Sequence, residues 1–501
     1  MTDNLFQRFK AAADPPRPLI SPLSGPARSY ADCFAAAARF AHVLVHHGVR
    51  PGGRVAVQVE KSANALCLYL ACLRAGAVYL PLNTGYTPSE LAYFVGDAEP
   101  SLFVCATRNQ EKISAALPSL DFLTLDDDGE SGSLIREAQT MSSDFPDADI
   151  AMSDLASILY TSGTTGRSKG AMLTHGNLVS NAETLKDLWC FTADDVLLHA
   201  LPLFHIHGLF VACNVTLISG ASMILLPKFD LDAIFRALPS ATVMMGVPTF
   251  YTRLLADPRL GPETARNIRL FVSGSAPLLA ETHREWQART GHAILERYGM
   301  TETNMNTSNP YDGARVPGSV GLPLPGVELR IAGKDGTVLP QGEIGGIEVR
   351  GPNVFKGYWR MPDKTAAEFR ADGFFITGDL GRIDESGYVH ILGRDKDLII
   401  SGGFNVYPKE IESLIDELPG VTESAVVGLP HRDFGEGVTA CVVTAKEETG
   451  LTEKAVLEAL AGRLAKFKHP KRVLFVDELP RNTMGKVQKN LIRERFSKLY
   501  D

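Results

Sequence analysis

The stretch RVAVQVEKSANALCLYLACLRAGAVYLPL, Arg54 to Leu82, decides the fold. RVAVQV reads as a strand, NALCLYLACLRAG as a helix and AVYLPL as a second strand. A strand, a helix and a strand in succession point to a parallel sheet with helices outside. Before it, Tyr30 to Gly48 reads as an amphipathic helix opened by Ser29 and closed by Gly48. After it, SLFVC, ASILYT, DVLLHAL, SMILLP, TVMMGVP and IRLFVSG continue the buried-strand pattern to about residue 274.

The texture changes after about residue 315. VELRIA, GEIGGIEVRG, FFITGDLGRID and YVHILGR are short strands punctuated by glycine, as in a small antiparallel, β-barrel-like unit. A further compact region holds a helix (KEIESLIDEL), strands (SAVVGLP, VTACVVTA), a helix (KAVLEALAGRLAK) and a strand (KRVLFVDEL). The expected architecture is α/β. A large N-terminal domain, residues 1–394, combines parallel-sheet subdomains with the β unit, and a small mobile α+β domain, 395–501, follows.

A net charge of −8 argues against nucleic-acid binding as the main task. The seven cysteines form no CxxC pair and no metal-ligand spacing, which suits reduced, buried thiols in a cytoplasm. The start, MTDNLFQRFKAAADPPRP, lacks a long apolar run, and Asp3 and Asp14 speak against a transit peptide. No run of 18 apolar residues occurs, so no membrane span is expected.

Chemistry enters at YTSGTTGRSKG, Tyr160 to Gly170. The strand ASILYT runs into three glycines, five Ser or Thr hydroxyls and Lys169. Exposed N–H groups and hydroxyls can surround phosphate oxygens, and glycine lets the backbone come close. It is not a Walker loop, because Lys169 is followed by Gly170 and no Gly-Lys-Ser/Thr is present.

At these residues the chain resembles the adenylate-forming family of acyl-CoA synthetases, luciferases and peptide-synthetase adenylation domains. The resemblance runs over essentially the whole chain with the motifs in order, and within the family it looks most like malonyl-CoA synthetases. It implies that Thr161, Ser162, Gly163, Thr164, Thr165, Gly166 and Lys169 bind the ATP phosphates. In RYGMTET, Arg297 to Thr303, it implies that Tyr298, beside Gly299, stacks on adenine, Thr301 meets the α-phosphate and Glu302 holds Mg²⁺. A hard cation of that kind is usually held by few carboxylates plus phosphate. Gly274, Ser275 and Ala276, in SGSAPL, would form the other wall of the adenine slot. Asp379, in TGDLG, and Arg394, in LGRDKD, would bind the ribose.

For Lys486, in PRNTMGKVQKN, the resemblance implies a bridge between the acyl carboxylate and the α-phosphate, offsetting charge in the transition state. The neighbouring Lys489, Arg493 and Arg495 read as a solvated basic tail. The family turns its C-terminal domain about the position of Lys396. One orientation delivers Lys486 and the other brings Gly402 and Gly403 to the acyl adenylate, with Gly403 leaving space for the pantetheine arm of coenzyme A.

The acid is read from Arg297. Side chains alternate along an extended segment, so if Tyr298 points to adenine, Arg297 points to the acyl pocket. A fixed cation there suits the second carboxylate of a short diacid, which would otherwise be buried unpaired. Arg253, on a helix starting near Thr249, and His205 and His207, in LPLFHIHGLF, are further candidates, each with a purely structural reading beside it. The expected reaction is malonate, ATP and coenzyme A giving malonyl-CoA, AMP and pyrophosphate. Methylmalonate, another short acid, transfer to a carrier protein, luciferase-like oxidation and a non-catalytic nucleotide-binding module stay as alternatives. A protein acetyltransferase acting on Lys486 would silence it by removing its charge.

Overall fold

The structure is a computed structural model that describes residues 4–161, 168–445, 451–482 and 485–500. The Arg54–Leu82 expectation is met: the strand Arg54–Gln58, the helix Ala63–Ala75 and the strand Val78–Pro81 form a parallel unit. Gly76 ends the helix at φ +68°, in the left-handed region that glycine enters at little cost. The preceding helix, Tyr30–His46, opens on a Ser29 cap whose hydroxyl accepts from the Asp32 N–H, with Asp32 returning the bond.

These elements belong to a six-stranded sheet. Its order is Phe122–Thr124, Leu102–Cys105, Arg54–Gln58, Val78–Pro81, Leu155–Thr161 and Lys169–Thr174. All pairs are parallel except the last, where Leu155–Thr161 and Lys169–Thr174 form a hairpin. A nine-stranded sheet carries the other half of the large unit. Its parallel centre runs Leu295–Met300, Leu270–Ser273, Val243–Gly246, Val196–His199, Ser222–Leu225 and Pro18–Ser21. Trp189, Tyr30, Tyr69, Phe6 and Phe9 are fully buried in the main core. Each large apolar side chain buried in this way contributes about 1.5–3 kcal/mol.

The glycine-punctuated strands pair antiparallel in the order Glu328–Ala332, Gly345–Arg350, Phe375–Ile383 and Val389–Arg394. Among the described residues the first and last of these do not pair, so the unit is an open sheet where the sequence suggests a barrel-like closure. The C-terminal sheet joins Phe404–Val406, Ile399–Ser401, Gly435–Thr444 and Val421–His431, with Arg472–Phe475 parallel to Gly435–Thr444.

Three local expectations are corrected. The helix expected over KAVLEALAGRLAK stops at Leu460, because Gly462 turns at φ +81°. The strand expected to end at HAILE continues through Met300, so Arg297 and Tyr298 sit within it. Six cysteines are buried and all seven are free, but Cys190 is exposed in a left-handed turn (φ +52°) after the helix His175–Leu188. Among the described residues no helix is long and apolar enough to cross a membrane.

Candidate active site

The strand Leu295–Met300 organises the site. It pairs parallel with Leu270–Ser273 and antiparallel with Asn304–Ser308. Alternation sends Arg297 and Tyr298 to opposite faces, and both are buried, at 3% and 8% exposure. At Gly299 a Cβ would meet the Asn304 carbonyl oxygen at 1.9 Å, so only glycine fits the bulge there.

On the Tyr298 face the polar groups around the phenol satisfy one another. The Tyr298 hydroxyl donates to Asp379 Oδ2 at 2.5 Å, and Arg394 Nε meets Asp379 Oδ1 at 2.8 Å. A second Arg394 N–H donates to the Thr377 carbonyl at 3.0 Å. The Asp379 carboxylate holds the Arg394 guanidinium above its ordinary pKa, and burial together with Asp379 holds the Tyr298 phenol well above its own. Asp379 lies inside the strand Phe375–Ile383, directly across from Arg394 in the register. Gly378 beside it turns at φ +72°.

The phosphate side is anchored at its two ends. Thr161 and Lys169 face each other across the hairpin; Ser162, Gly163, Thr164, Thr165 and Gly166 lie outside the described residues. Lys169 Nζ is 3.1 Å from Glu368 Oε1 and 4.1 Å from the centre of the Tyr358 ring. The Tyr358 hydroxyl lies 3.0 Å from Glu302 Oε1 and 2.6 Å from Glu368 Oε2. A phenol has one hydrogen, so the hydroxyl serves one carboxylate at a time, and Lys169 and Lys364, 3.1 and 2.8 Å from Glu368 Oε1, balance Glu368. Burial raises the pKa of Glu302. Thr301 is half-buried between this group and Tyr298 in the chain. Tyr358 and Glu368 did not stand out in the sequence, since GYW and AAEF carry no motif that ties them to Glu302.

The Arg297 face is different. The Nε and Nη2 atoms of Arg297 are buried without a hydrogen-bond partner. Its guanidinium lies against Gly274, where a Cβ would sit 2.4 Å from Cζ. Gly274, expected as a wall of the adenine slot, is therefore also the floor under Arg297. Burial pushes the guanidinium down to about 9, which leaves it charged at neutral pH. His207 is fully buried; its Nδ1 is 3.1 Å from Ser275 Oγ and its Nε2 has no partner. Ser275 holds a left-handed backbone, φ +71°, the kind of strain that a site retains when its surroundings fix it. Ala276 follows, half-buried. The half-buried His205 accepts the His207 N–H at 3.4 Å. Burial, then the Arg297 cation, push His207 well below its ordinary value, and burial, Arg297 and Lys486 push His205 to about 4. Both imidazoles are neutral, and among the described residues no carboxylate pairs with Arg297.

Arg253 stays outside this group. It is exposed on the helix Pro248–Leu255, with its guanidinium 5.6 Å from the centre of the Phe229 ring. The first turn of the same helix meets the Lys486 turn: a Cβ on Gly485 would lie 3.8 Å from Thr249 Oγ1. Lys486 keeps access to solvent, yet the cleft around it and the Arg394 cation lower its ammonium pKa. Lys396 sits exposed in the short turn Asp395–Asp397, its ammonium likewise lowered by desolvation. The basic residues near Lys486 are mostly engaged: Arg493 pairs with Asp397 at 2.7 Å and Lys489 with Glu412 at 2.6 Å. Gly402 and Gly403, at φ +59° and +82°, form the tip of the hairpin Ile399–Val406. Open space surrounds Gly403.

Residues 9–359 match the family described as AMP-binding enzyme, and residues 410–486 match the AMP-binding enzyme C-terminal domain. The chain belongs to the AMP-binding enzyme family. A malonate–CoA ligase of Arabidopsis thaliana is 38% identical, covering 89% of this chain and 78% of its own. The ATP-bound crystal structure of MatB from Rhodopseudomonas palustris is 62% identical, covers 100% of both chains and superposes with a TM-score of 0.98. The apo structure of the same protein gives 0.87 at the same identity and coverage. The arrangement of this AMP-binding enzyme is thus nearer to the ATP-bound form of that relative.

Proposed function

We propose that this AMP-binding enzyme is a malonyl-CoA synthetase, and the observation that carries the choice of acid is the buried, unpaired guanidinium of Arg297. The Rhodopseudomonas and Arabidopsis relatives support the same reading. One carboxylate oxygen of malonate attacks the α-phosphorus of ATP, and pyrophosphate leaves. The thiol sulfur of coenzyme A then attacks the acyl carbon, AMP leaves, and the thiol proton passes to solvent.

The second carboxylate of malonate pairs with Nε and Nη2 of Arg297, whose buried charge otherwise stands uncompensated at a cost of several kcal/mol. Neutral His207 offers Nε2, and His205 closes the pocket behind it. Lys486 spans the reacting carboxylate and the α-phosphate. Tyr298 and Ala276 flank adenine, while Asp379 and Arg394 take the ribose. Thr161, Lys169, Thr301 and the loop between Thr161 and Lys169 hold the phosphates. Glu302, buried with the Tyr358 hydroxyl on Oε1, is the ligand this chain would offer Mg²⁺, a hard cation held largely by phosphate oxygens. When bound, that ion neutralises phosphate charge.

For the second half-reaction, residues 395–501 turn about Lys396 as one domain and bring Gly402 and Gly403 to the adenylate. Lys486, being open to solvent, is within reach of a protein acetyltransferase, whose action would remove its charge. A cytoplasmic site suits the buried free thiols. Methylmalonate is the second reading of the substrate, since one methyl group changes discrimination by only about 1–3 kcal/mol. The test is pyrophosphate release over short mono- and dicarboxylates with coenzyme A as sole acceptor. Malonate is expected to lead. A preference for acetate or a long-chain acid would end the reading, and a requirement for a carrier protein would replace coenzyme A as acceptor.

A further inference from the structure

The pocket is held from behind by a buried lysine that the reaction does not use. Lys61 follows the strand Arg54–Gln58 of the six-stranded sheet, the sheet that also carries the strand leading into the phosphate loop. Its neighbour Glu60 faces outward, 3.8 Å from Arg108, but Lys61 turns inward and is only 9% exposed. Among the described residues no carboxylate pairs with it. Its Nζ instead donates to the His199 carbonyl at 2.8 Å and to His199 Nδ1 at 2.7 Å. His199 ends the strand Val196–His199 in the nine-stranded sheet, so these bonds join the two sheets.

With Nδ1 accepting from Lys61, His199 carries its hydrogen on Nε2. That atom donates to the Gly208 carbonyl at 2.8 Å and lies 3.3 Å from Cys213 Sγ. Gly208 and Cys213 sit near the two ends of a π-helical turn, His207–Cys213, whose first residue is the pocket histidine. Such wide turns are rare and need outside support. The loop is tight here, since a Cβ on Gly208 would lie 1.9 Å from the Pro202 carbonyl oxygen. Burial pushes the Lys61 ammonium down to about 7, and the charged and neutral forms both keep two hydrogens for His199.

We propose that Lys61 is a positioning residue for the acyl pocket: through His199 it ties down the start of the π-helical turn at Gly208 and so sets His207 in the pocket with Arg297. The inference rests on the malonate reading above. Full-length wild type, Lys61→Met, His207→Ala, the double variant and Arg297→Ala are compared by steady-state kinetics with malonate and ATP. Lys61→Met raises KM for malonate about tenfold, as expected for lost hydrogen bonds, and leaves KM for ATP within about twofold. In the His207→Ala background the same change adds less than about twofold, because the two residues act through one contact. Equal shifts in both KM values, or an undiminished effect without His207, would overturn the proposal. If Lys61→Met does not fold, His199→Asn removes the tie to Gly208 and is read by the same criteria. Loss of malonate turnover in Arg297→Ala without an effect of Lys61→Met sinks this inference alone. No malonate turnover by the wild type sinks the reading beneath it.

Discussion

The two faces of the strand Leu295–Met300 are wired in opposite ways. On the Tyr298 face, phenol, carboxylate and guanidinium satisfy one another: Tyr298, Asp379, Arg394 and the Thr377 carbonyl form a closed set. On the Arg297 face, a buried guanidinium and the His207 imidazole keep polar atoms without partners. The contrast follows from what each face meets. On the proposed reading the adenosine of ATP brings neutral ring and diol groups, which can join an existing network with little change. A diacid brings a full negative charge, which a closed network would reject and an uncompensated cation attracts. On the function proposed above, the Tyr298 face is the general part of the enzyme and the Arg297 face the selective part.

The strongest way to break this contrast is Arg297→Ala. Malonate kcat/KM is expected to fall about 10³-fold, as for loss of one member of a buried charge pair, with KM for ATP changed less than about twofold. A comparable loss for ATP would mean that the faces are not separate. An intermediate effect comes from pH. The guanidinium is pushed down to about 9 by burial, and only its charged form pairs with the acid. Malonate affinity is thus retained below that value and lost as pH rises through it, by about tenfold per pH unit beyond, while ATP affinity does not follow. Bound malonate stabilises the cation and moves the break upward, so the profile is to be read on kcat/KM, which reports the free enzyme. The smallest effect is Tyr298→Phe. Removing one hydroxyl from a closed network should raise KM for ATP by about 2- to 10-fold and leave malonate untouched. A larger effect on malonate would show that the strand transmits strain between its faces.

Much of this was legible beforehand. The strand–helix–strand reading of Arg54–Leu82 held because period and glycine punctuation are local properties. The split of Arg297 and Tyr298 to opposite sides held because alternation along a strand is local as well. Boundaries were less secure: the strand runs on through Met300 because Asn304–Ser308 and Leu270–Ser273 offer it partners on both sides. Arg253 is a candidate for the acyl pocket with a surface-charge reading beside it, and the helix Pro248–Leu255 leaves it exposed over Phe229, as the surface reading has it. Tyr358 and Glu368 escaped notice because a tyrosine and a glutamate become a carboxylate-pairing group only when a third residue, Glu302, is folded against them.

The chain's order of residues was enough to establish a parallel α/β architecture and to place Arg297 and Tyr298 on opposite faces of one strand, and it carries the proposed phosphate loop between Tyr160 and Gly170. These follow from neighbours along the chain, where spacing alone dictates geometry. That Arg297 lies over Gly274 without a counter-charge, that Asp379 is shared by Tyr298 and Arg394, and that Lys61 reaches His199 from another sheet emerged from folding alone. Each depends on groups distant in sequence being buried together. Desolvation then gives a missing partner its energetic weight, and desolvation has no signature in spacing.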